Sequence, residues 1–303
     1  MKVVSIITVN FNYSYLTDDL LLSIQQKNSY SAIEIIVVDN ASSENPVPSW
    51  EKKYPGVKFI RSEQNLGFAG GNNLGVEVAT GDYLFFVNND TIFTENLIQT
   101  LVQTLEQHPQ VGMVSPKILY YDQPDMLQYA GYTDINYFTA RNACIGQYET
   151  DNGQYDQLEG ATGFAHGAAM MVKREAINKA GRMAENFFLY YEELDWCSRI
   201  KRAGYEIWVN MKACIYHRES ISVGKQSALK EYFMNRNRIL FIRRNAPWWK
   251  AIVFYVYFLL VVTPRNMAAY LKNGNKDFIR QLWRAIGWNL TNSVNSSELG
   301  FRA

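Results

Sequence analysis

Asp82-Tyr83-Leu84-Phe85-Phe86-Val87-Asn88-Asn89-Asp90-Thr91 is the stretch on which the fold turns. The apolar and aromatic run from Tyr83 to Val87 is too short for an ordinary helix and rich in β-formers, so it predicts a strand buried on both faces. It stops abruptly at two amides and a carboxylate. In an open α/β sheet, ligands collect in the crevice outside the carboxyl ends of parallel strands. A lone carboxylate, Asp90, beside Asn88 and Asn89 suits an oxygen-loving divalent cation such as Mg²⁺ or Mn²⁺, which keeps waters and shares substrate phosphates. An Asn-Asn-Asp turn into the next element explains the same residues. The flanking sequence has to choose.

Upstream, Val3 to Val9 is another apolar strand, ending at Asn10-Phe11-Asn12, and Leu16, Leu20, Leu21 and Ile24 follow at helical spacing. Ile33 to Val38 is a third strand, ending at Asp39-Asn40-Ala41-Ser42-Ser43. A helix between two such strands is a βαβ unit, with a right-handed crossover and parallel strands. Asn10, Asp39 and Asn88-Asn89-Asp90 are therefore expected on one edge of one sheet. Between them, Asn65-Leu66-Gly67-Phe68-Ala69-Gly70-Gly71-Asn72-Asn73 has neither the dinucleotide fingerprint nor a P-loop. Its glycines permit close backbone approach, and the residues up to Thr80 read as a short helix whose amino terminus favours an anion such as a diphosphate. A plain turn fits this loop as well.

Downstream, Leu97, Ile98, Leu101, Val102 and Leu105 mark an amphipathic helix closed by His108-Pro109. Residues 120–160 are polar, rich in Tyr and Gly, and without clear period; they read as connecting strands and loops. Ala168 to Val172 reads as a strand and Arg174 to Ala180 as a short helix ended by Gly181. Next comes Phe187-Phe188-Leu189-Tyr190-Tyr191-Glu192-Glu193-Leu194-Asp195-Trp196-Cys197-Ser198-Arg199, where a helix from about Glu192 to Ala203 is expected. Carboxylates in a first helical turn are favoured by the helix dipole, and Asp195 and Arg199 form an i,i+4 pair. That accounts for Glu192 and Asp195. It accounts less well for Glu193, which points a quarter-turn away and has no helical partner of opposite charge. Glu206 to Tyr216 then alternates as a strand and delivers His217, one of three histidines, at its end.

Of 303 residues 48% are hydrophobic, enough for one large or two medium domains. Three cysteines without paired spacing argue against a disulfide framework or a zinc site and suggest a reducing, cytoplasmic setting. The first residues lead straight into a strand with no signal-peptide layout. The formal net charge of +1 hides an asymmetry: residues 230–303 carry 12 Lys/Arg against 3 Asp/Glu, and the rest of the chain is acidic. This basic tail holds a twelve-residue apolar run, Ala251 to Val262, flanked by Trp248-Trp249 and Pro264-Arg265. A bilayer span needs about 20 residues. The run is therefore read as a helix lying at an anionic membrane surface, with Trp at headgroup depth; a buried core or dimer helix is the alternative. No nucleic-acid motif accompanies the basic residues.

Thr8-Val9-Asn10-Phe11-Asn12, Val37-Val38-Asp39-Asn40-Ala41-Ser42, Asn65 to Asn73, Val87-Asn88-Asn89-Asp90-Thr91, Phe188 to Asp195 and Tyr216-His217, in this order, make the chain resemble a family 2 glycosyltransferase. The resemblance spans about residues 3–245 and points to the branch of bacterial rhamnosyl- and galactofuranosyltransferases of cell-surface polysaccharides. It implies a GT-A fold, an α/β architecture with a mostly parallel central sheet flanked by helices: a glycosyltransferase domain over 1–229, with a nucleotide-binding half at about 1–115 and an acceptor half at about 116–229, then a helical extension over 230–303. It implies that Thr8, Asn10, Asp39, Asn65, Gly70, Asn88 and Asn89 surround the donor nucleotide. Asp90 and His217 would hold Mg²⁺ or Mn²⁺, Glu193 would be the catalytic base, and Glu192, Asp195 and Trp196 would support the acceptor. Two positions depart from the family pattern: Glu193 stands where the base is usually Asp, and Ala184 where an acid is common.

The implied activity is an inverting transfer of a sugar, rhamnose first among them, from a dTDP- or UDP-sugar to a saccharide or lipid-linked acceptor. The implied place is the inner face of the cell membrane, with the protein bound peripherally. One carboxylate would take the acceptor hydroxyl's proton, and a cation would neutralise the departing diphosphate. A sugar nucleotidyltransferase and a non-catalytic nucleotide-sugar-binding subunit are the alternatives. Sugar, acceptor, linkage and oligomeric state stay open.

Overall fold

A computed structural model describes residues 1–218 and 227–301. The amino-terminal half is β1 (Val4–Asn10), α1 (Ser14–Lys27), β2 (Ile33–Asp39), α2 (Val47–Lys53), β3 (Val57–Arg61), α3 (Gly67–Val78), β4 (Tyr83–Val87), β5 (Thr91–Phe93) and α4 (Leu97–Gln107). Next come β6 (Val111–Tyr120), β7 (Leu127–Tyr129), β8 (Glu159–Ala161), β9 (Ala169–Lys173), α5 (Arg174–Ala180), α6 (Glu192–Arg202) and β10 (Glu206–His217). The chain ends in helices α7 (Ala228–Asn245), α8 (Trp248–Tyr257), α9 (Thr263–Lys272) and α10 (Lys276–Thr291), with a π-helical segment, Phe258–Val262, joining α8 to α9.

One sheet runs through the molecule in the order β3-β2-β1-β4-β9-β6-β10-β5. The four amino-terminal strands pair in parallel, so Asn10 lies opposite Asp39 and all their carboxyl ends share one edge, as expected. Beyond β4 the sheet is mixed: β9 runs antiparallel to both β4 and β6, β5 and β8 run antiparallel to β10, and only β6–β10 is parallel. The mostly parallel expectation thus holds for the nucleotide half. The remainder departs from it because β9 enters against both its neighbours and β5, β7 and β8 are short returns rather than βαβ crossovers.

Strand alternation sends each side chain to one of two helical layers. In β4, Leu84 and Phe86 face α3, α6 and α7, and Tyr83, Phe85 and Val87 face the layer of α1 and α4. Phe86 meets Trp196 edge-on at 5.2 Å, a geometry that places a positive ring edge on a negative face.

The expected boundary at 229/230 separates nothing in the structure. Tyr232, Phe233, Asn235, Arg236, Asn237 and Ile239–Ile242 of α7 are buried on all sides of the helix, and Ile239–Ile242 belong to the same core as Trp196 and Ile200. Asp195 ties α6 to α7 through Arg244 and Asn245. An extended exposed face begins only after α7.

The twelve-residue apolar run is also longer in the structure than the sequence suggests. Helix continues from Trp248 to Lys272, 25 residues, long and apolar enough to cross a membrane by length and composition. Pro264 hides this continuity in the sequence: it lacks an N–H, and its ring collides with the carbonyl four residues back. The wide π turn just before it absorbs that clash without ending the helix. Phe254, Phe258 and Val262 pack inward, while Ile252, Val256 and Leu260 are 54%, 54% and 73% exposed.

Candidate functional site

A cleft of about 580 Å³ opens at the carboxyl ends of β1, β2 and β4. The period of two decides which residues reach it. Val9, Phe11, Asn40 and Asn88 line it, each in phase with Ile7, Val38 or Phe86 on the α3 side. Thr8, Asn10, Asp39 and Asn89 are out of phase and send their polar groups to the opposite layer, although Asn89, like Val87, also lines the cleft. Three of these four form one buried network. Asn10 Nδ2 donates to Asp39 Oδ1 at 2.8 Å and to Ser42 Oγ at 3.0 Å. Asn89 Nδ2 donates to Asn10 Oδ1 at 3.2 Å and to Thr17 Oγ1 at 3.1 Å. Arg61 closes the set with a 2.6 Å contact from Nη1 to Asp39 Oδ2. Thr8 is fully buried and its hydroxyl has no hydrogen-bond partner among the described residues.

The expected nucleotide residues therefore divide. Asn10, Asp39 and the Asn89 carboxamide fasten the strand ends from behind, whereas Asn88 and Asn89 line the cleft, where they are joined by Phe11 and Asn40, which were not among those expected. Asn40 also sets the next loop: its Oδ1 accepts from Leu66 N–H at 2.9 Å, and its Nδ2 donates to Asn65 Oδ1 and Gly67 O, each at 3.1 Å. Asn65 lines the cleft. Gly70 does not; it lies inside α3, where an added Cβ would meet Leu66 Cβ at 2.7 Å.

The amino terminus of α3 is a second correction. The expectation of a free anion site fails because its first N–H groups already have partners: Leu66 on Asn40, Gly67 on Asn65 Oδ1 at 2.8 Å, and Phe68 on Phe188 O at 2.8 Å. A basic side chain reaches the cleft from elsewhere, Lys230 in the first turn of α7. The tail's basic residues, expected as a group at lipid, thus serve more than one place.

Asp90 and His217 come together. His217 Nε2 lies 3.2 Å from Asp90 Oδ1, and both residues are buried at the cleft floor. His217 Nδ1 lies 2.8 Å from Gln128 Oε1. An amide oxygen there accepts Nδ1–H, which leaves Nε2 as a lone pair; Asn88 Nδ2 approaches that lone pair at 3.5 Å. The carboxylate oxygen opposite has no hydrogen-bond partner among the described residues. Two acceptors facing each other at this separation, one of them an orphaned anion, are what a cation bridges, so the donor set fits a divalent metal. Among the described residues no third His, Cys, Asp or Glu joins them. The turn reading of Asn88 to Thr91 is also realised, since Thr91 Oγ1 donates to Asn88 O at 2.8 Å: the turn is what aims Asp90. Gln128 lies in the aperiodic 120–160 stretch, where no pattern singles it out.

Three expected acceptor-side residues separate in the structure. Asp195 is fully buried and bound by Arg199 Nε at 2.8 Å and Arg244 Nε at 3.1 Å, a structural knot rather than an acceptor contact. Trp196 is a core side chain whose indole N–H donates to Gly181 O at 2.8 Å. Glu192 is buried, its Oε2 without a partner among the described residues, and burial, reinforced by the charge of Glu193, pushes its pKa well above the ordinary carboxylate range. Glu193 is half-buried, and burial raises its pKa too. A side chain at Gly167 would touch Glu193 Cγ at 3.9 Å and Phe68 Cζ at 4.0 Å, so the absence of one opens the space between this acid and the cleft wall. The preceding His166 was not anticipated. Its ring lies 6.1 Å from that of His217, and its Nδ1 accepts the Ala168 N–H at 3.1 Å. Burial, helped by His217, pushes its pKa down to about 3, which keeps the ring neutral.

Residues 5–181 match the family model of glycosyl transferase family 2. A low-salt glycan biosynthesis hexosyltransferase of Haloferax volcanii is 27% identical over 235 residues, 75% of this chain and 73% of the relative. An N-acetylglucosaminyl-diphospho-decaprenol L-rhamnosyltransferase of Mycobacterium tuberculosis is 21% identical over 240 residues, 72% of this chain and 78% of the relative. Among solved structures, GalNAc-T7 with UDP, GalNAc and Mn²⁺ superposes with a TM-score of 0.68 at 14% identity, over 96% of this chain and 57% of that one. With a GT-A fold and a family match over more than half its length, the chain belongs to glycosyl transferase family 2.

Proposed function

We propose that the protein is a metal-dependent, inverting glycosyltransferase that moves a hexose, with rhamnose the first candidate, from a dTDP- or UDP-sugar to a saccharide or lipid-linked acceptor in surface-glycan synthesis. The observation that carries this reading is the Asp90–His217 pair: an orphaned carboxylate oxygen and an imidazole lone pair 3.2 Å apart at the floor of the strand-end cleft. The rhamnose preference leans on likeness to the mycobacterial rhamnosyltransferase. Phe11 offers a face for the base, Asn65, whose Oδ1 alone is taken up by Asn40 and Gly67, offers its Nδ2 donors to base or ribose, and Lys230 offers charge to the phosphates. Asp90 and His217 would hold Mg²⁺ or Mn²⁺, which when bound stabilises the charge of the departing nucleoside diphosphate. Glu193 accepts the acceptor hydroxyl's proton as that oxygen attacks the anomeric carbon. The hydroxyl oxygen gains the glycosidic bond and the diphosphate leaves with its electron pair from the opposite face, so configuration inverts. Burial keeps Glu193 basic enough for the task.

Thermal shift with UDP-, dTDP- and GDP-sugars, each with and without Mn²⁺, tests the reading. A ligand that binds only the native state raises its stability by about 2.7 kcal/mol at a hundredfold excess over Kd. One nucleotide should raise the Tm, chiefly when Mn²⁺ is present, and Asp90→Ala should abolish the Mn²⁺-dependent part. An undiminished shift in that variant removes Asp90 from the metal; no shift with any nucleotide sugar overturns the donor site.

The helix from Trp248 to Lys272 supports a peripheral membrane location, lying in the interface rather than across the bilayer. Phe254, Phe258 and Val262 hold one face on the protein. The rest of its surface is apolar, with exposed Trp248 and Trp249 at its start and exposed Arg265 and Lys272 toward its end, while Lys250 turns back over Tyr137 and Phe138. Such a face gains apolar burial and attraction to anionic lipid together. The double variant Val256→Glu/Leu260→Glu should stay soluble and folded yet cease to float with anionic vesicles. Unchanged flotation would reject this surface.

A further inference from the structure

The carbonyls of Phe187, Leu189 and Tyr190 converge on one side chain, Asn237 Nδ2 of α7, at 2.9, 2.8 and 2.8 Å. The backbone they belong to is unusual. Phe188, Tyr190 and Tyr191 have φ of 65°, 70° and 74°, the left-handed region that bulky L-residues avoid. Each such residue costs on the order of 1–3 kcal/mol and persists only where its surroundings over-determine it.

Two parts of the molecule do the holding. From the donor half, Phe68 N–H donates to Phe188 O at 2.8 Å, and Gly67, at φ +69°, lies so near that an added Cβ would stand 2.2 Å from the same carbonyl oxygen. From the carboxyl-terminal half, Asn237 supplies the amide. It is fully buried, and its own Oδ1 has no hydrogen-bond partner among the described residues. The reverse orientation of the carboxamide would aim an oxygen at three carbonyls. Its donor capacity is directed wholly at the 187–190 turn.

That turn has two outputs. Phe188, Leu189 and Tyr190 form a wall of the donor cleft. Tyr191 then starts α6, and Glu193 follows in its first turn. We infer that Asn237 is a positioning residue for the transfer: by clamping the strained 187–190 turn it fixes the Glu193 carboxylate relative to a donor lying against that turn. The inference rests on Glu193 being the base. It matters kinetically because a displacement of about 1 Å in a reacting group costs roughly 10²-fold in rate.

Asn237→Ala removes all three hydrogen bonds, Asn237→Asp presents an anion to the three carbonyls, and Asn237→Ser keeps one donor. For each, the Tm, the Kd for the nucleotide sugar in Mn²⁺ by calorimetry, and kcat at saturating substrates would be measured. In folded protein, kcat should fall roughly 10²-fold in the alanine variant, further in aspartate and less in serine, with donor Kd within about threefold of wild type. In a Glu193→Gln background, Asn237→Ala should add almost nothing, because its effect passes through that carboxylate. Undiminished kcat overturns the inference. So does a donor Kd that weakens in step with kcat, which would make the clamp a support for the donor wall alone. Should alanine and aspartate fail to fold, the serine variant decides by the same split. A full additive loss in the double variant rejects positioning while leaving the base assignment intact. Near-normal turnover of Glu193→Gln alone overturns the base assignment, and this inference with it.

Discussion

The carboxylates at the two ends of the site are held by different physics. Asp90 ends a strand, and its direction follows from the β4 register and a tight turn closed by Thr91. What aims it is mainly backbone: the Thr91 turn, Asn88 N–H on Ala168 O at 3.0 Å, and Arg218 N–H on Asp90 O at 2.9 Å where β5 pairs with β10, with His217 opposite. Glu193 starts a helix that is entered through three left-handed residues, and what aims it comes from Phe68 and Asn237, far away in sequence on either side. The backbone device is stiff because strand geometry makes it so. The other is stiff only while α3 and α7 both grip the turn. The acceptor-side acid is thus where distant substitutions should reach the chemistry.

The largest expected effect separates Glu193 from its neighbour Asp195. Glu193→Gln should keep donor binding and lose about 10²–10⁴ in kcat, the usual worth of a general base. Asp195→Asn should do the reverse: nearly normal turnover per folded molecule, with a clearly lower Tm, because it disrupts a buried ion pair whose breakage costs about 3–5 kcal/mol. A collapse of kcat in the Asp195 variant at unchanged Tm would move the base there. The pH profile sharpens the comparison. Burial raises the pKa of Glu193 above the ordinary value of 4.5, and a base works ionised, so kcat should rise with pH along a limb above the usual carboxylate range. That limb should vanish in Glu193→Gln. For stability the sign is opposite. A carboxylate whose folded pKa is raised favours the native state below its unfolded pKa and loses that contribution as pH climbs. Glu192, buried and raised further, carries most of this.

The donor half was legible in the sequence because short apolar runs ending in polar residues have few alternatives in an α/β chain. The strands β1, β2 and β4, their common edge and the helices between them follow from that pattern. Asp90 and His217 were singled out by resemblance, and the structure brings them 3.2 Å apart. Which side chains turn into the cleft was also encoded, in the parity of each strand, but motif reasoning selected Thr8, Asn10 and Asp39 where parity selects Phe11 and Asn40. Asp195 and Trp196 looked functional through their position beside Glu193; their roles depend on Arg244 and Gly181, contacts no local pattern reports. The role of α7 was hidden for a related reason. A helix buried all round has no amphipathic period, and its arginines read as a charged tail although Arg236 is fully buried. Pro264 broke the longest helix on paper, and a π turn mends it in space.

The smallest expected effect tests parity itself. Phe11→Ala should weaken nucleotide-sugar binding by roughly tenfold, since an aromatic face under a base is worth about 1–3 kcal/mol by alanine substitution, and should leave kcat at saturation nearly intact. Thr8→Val, three residues earlier in the chain, should leave donor Kd unchanged. Thr8 is buried on the far face, its hydroxyl without a partner among the described residues, and a desolvated polar group without a partner costs about 1–3 kcal/mol. The isosteric valine removes that group, so the Tm should hold or rise. Calorimetry with the donor identified by thermal shift, alongside melting curves, distinguishes the two. If Thr8→Val weakened the donor as Phe11→Ala does, the nucleotide would have to reach around the strand end to the α1 side. The buried network of Asn10, Asp39 and Asn89 would then be a binding surface rather than the fastening beneath one.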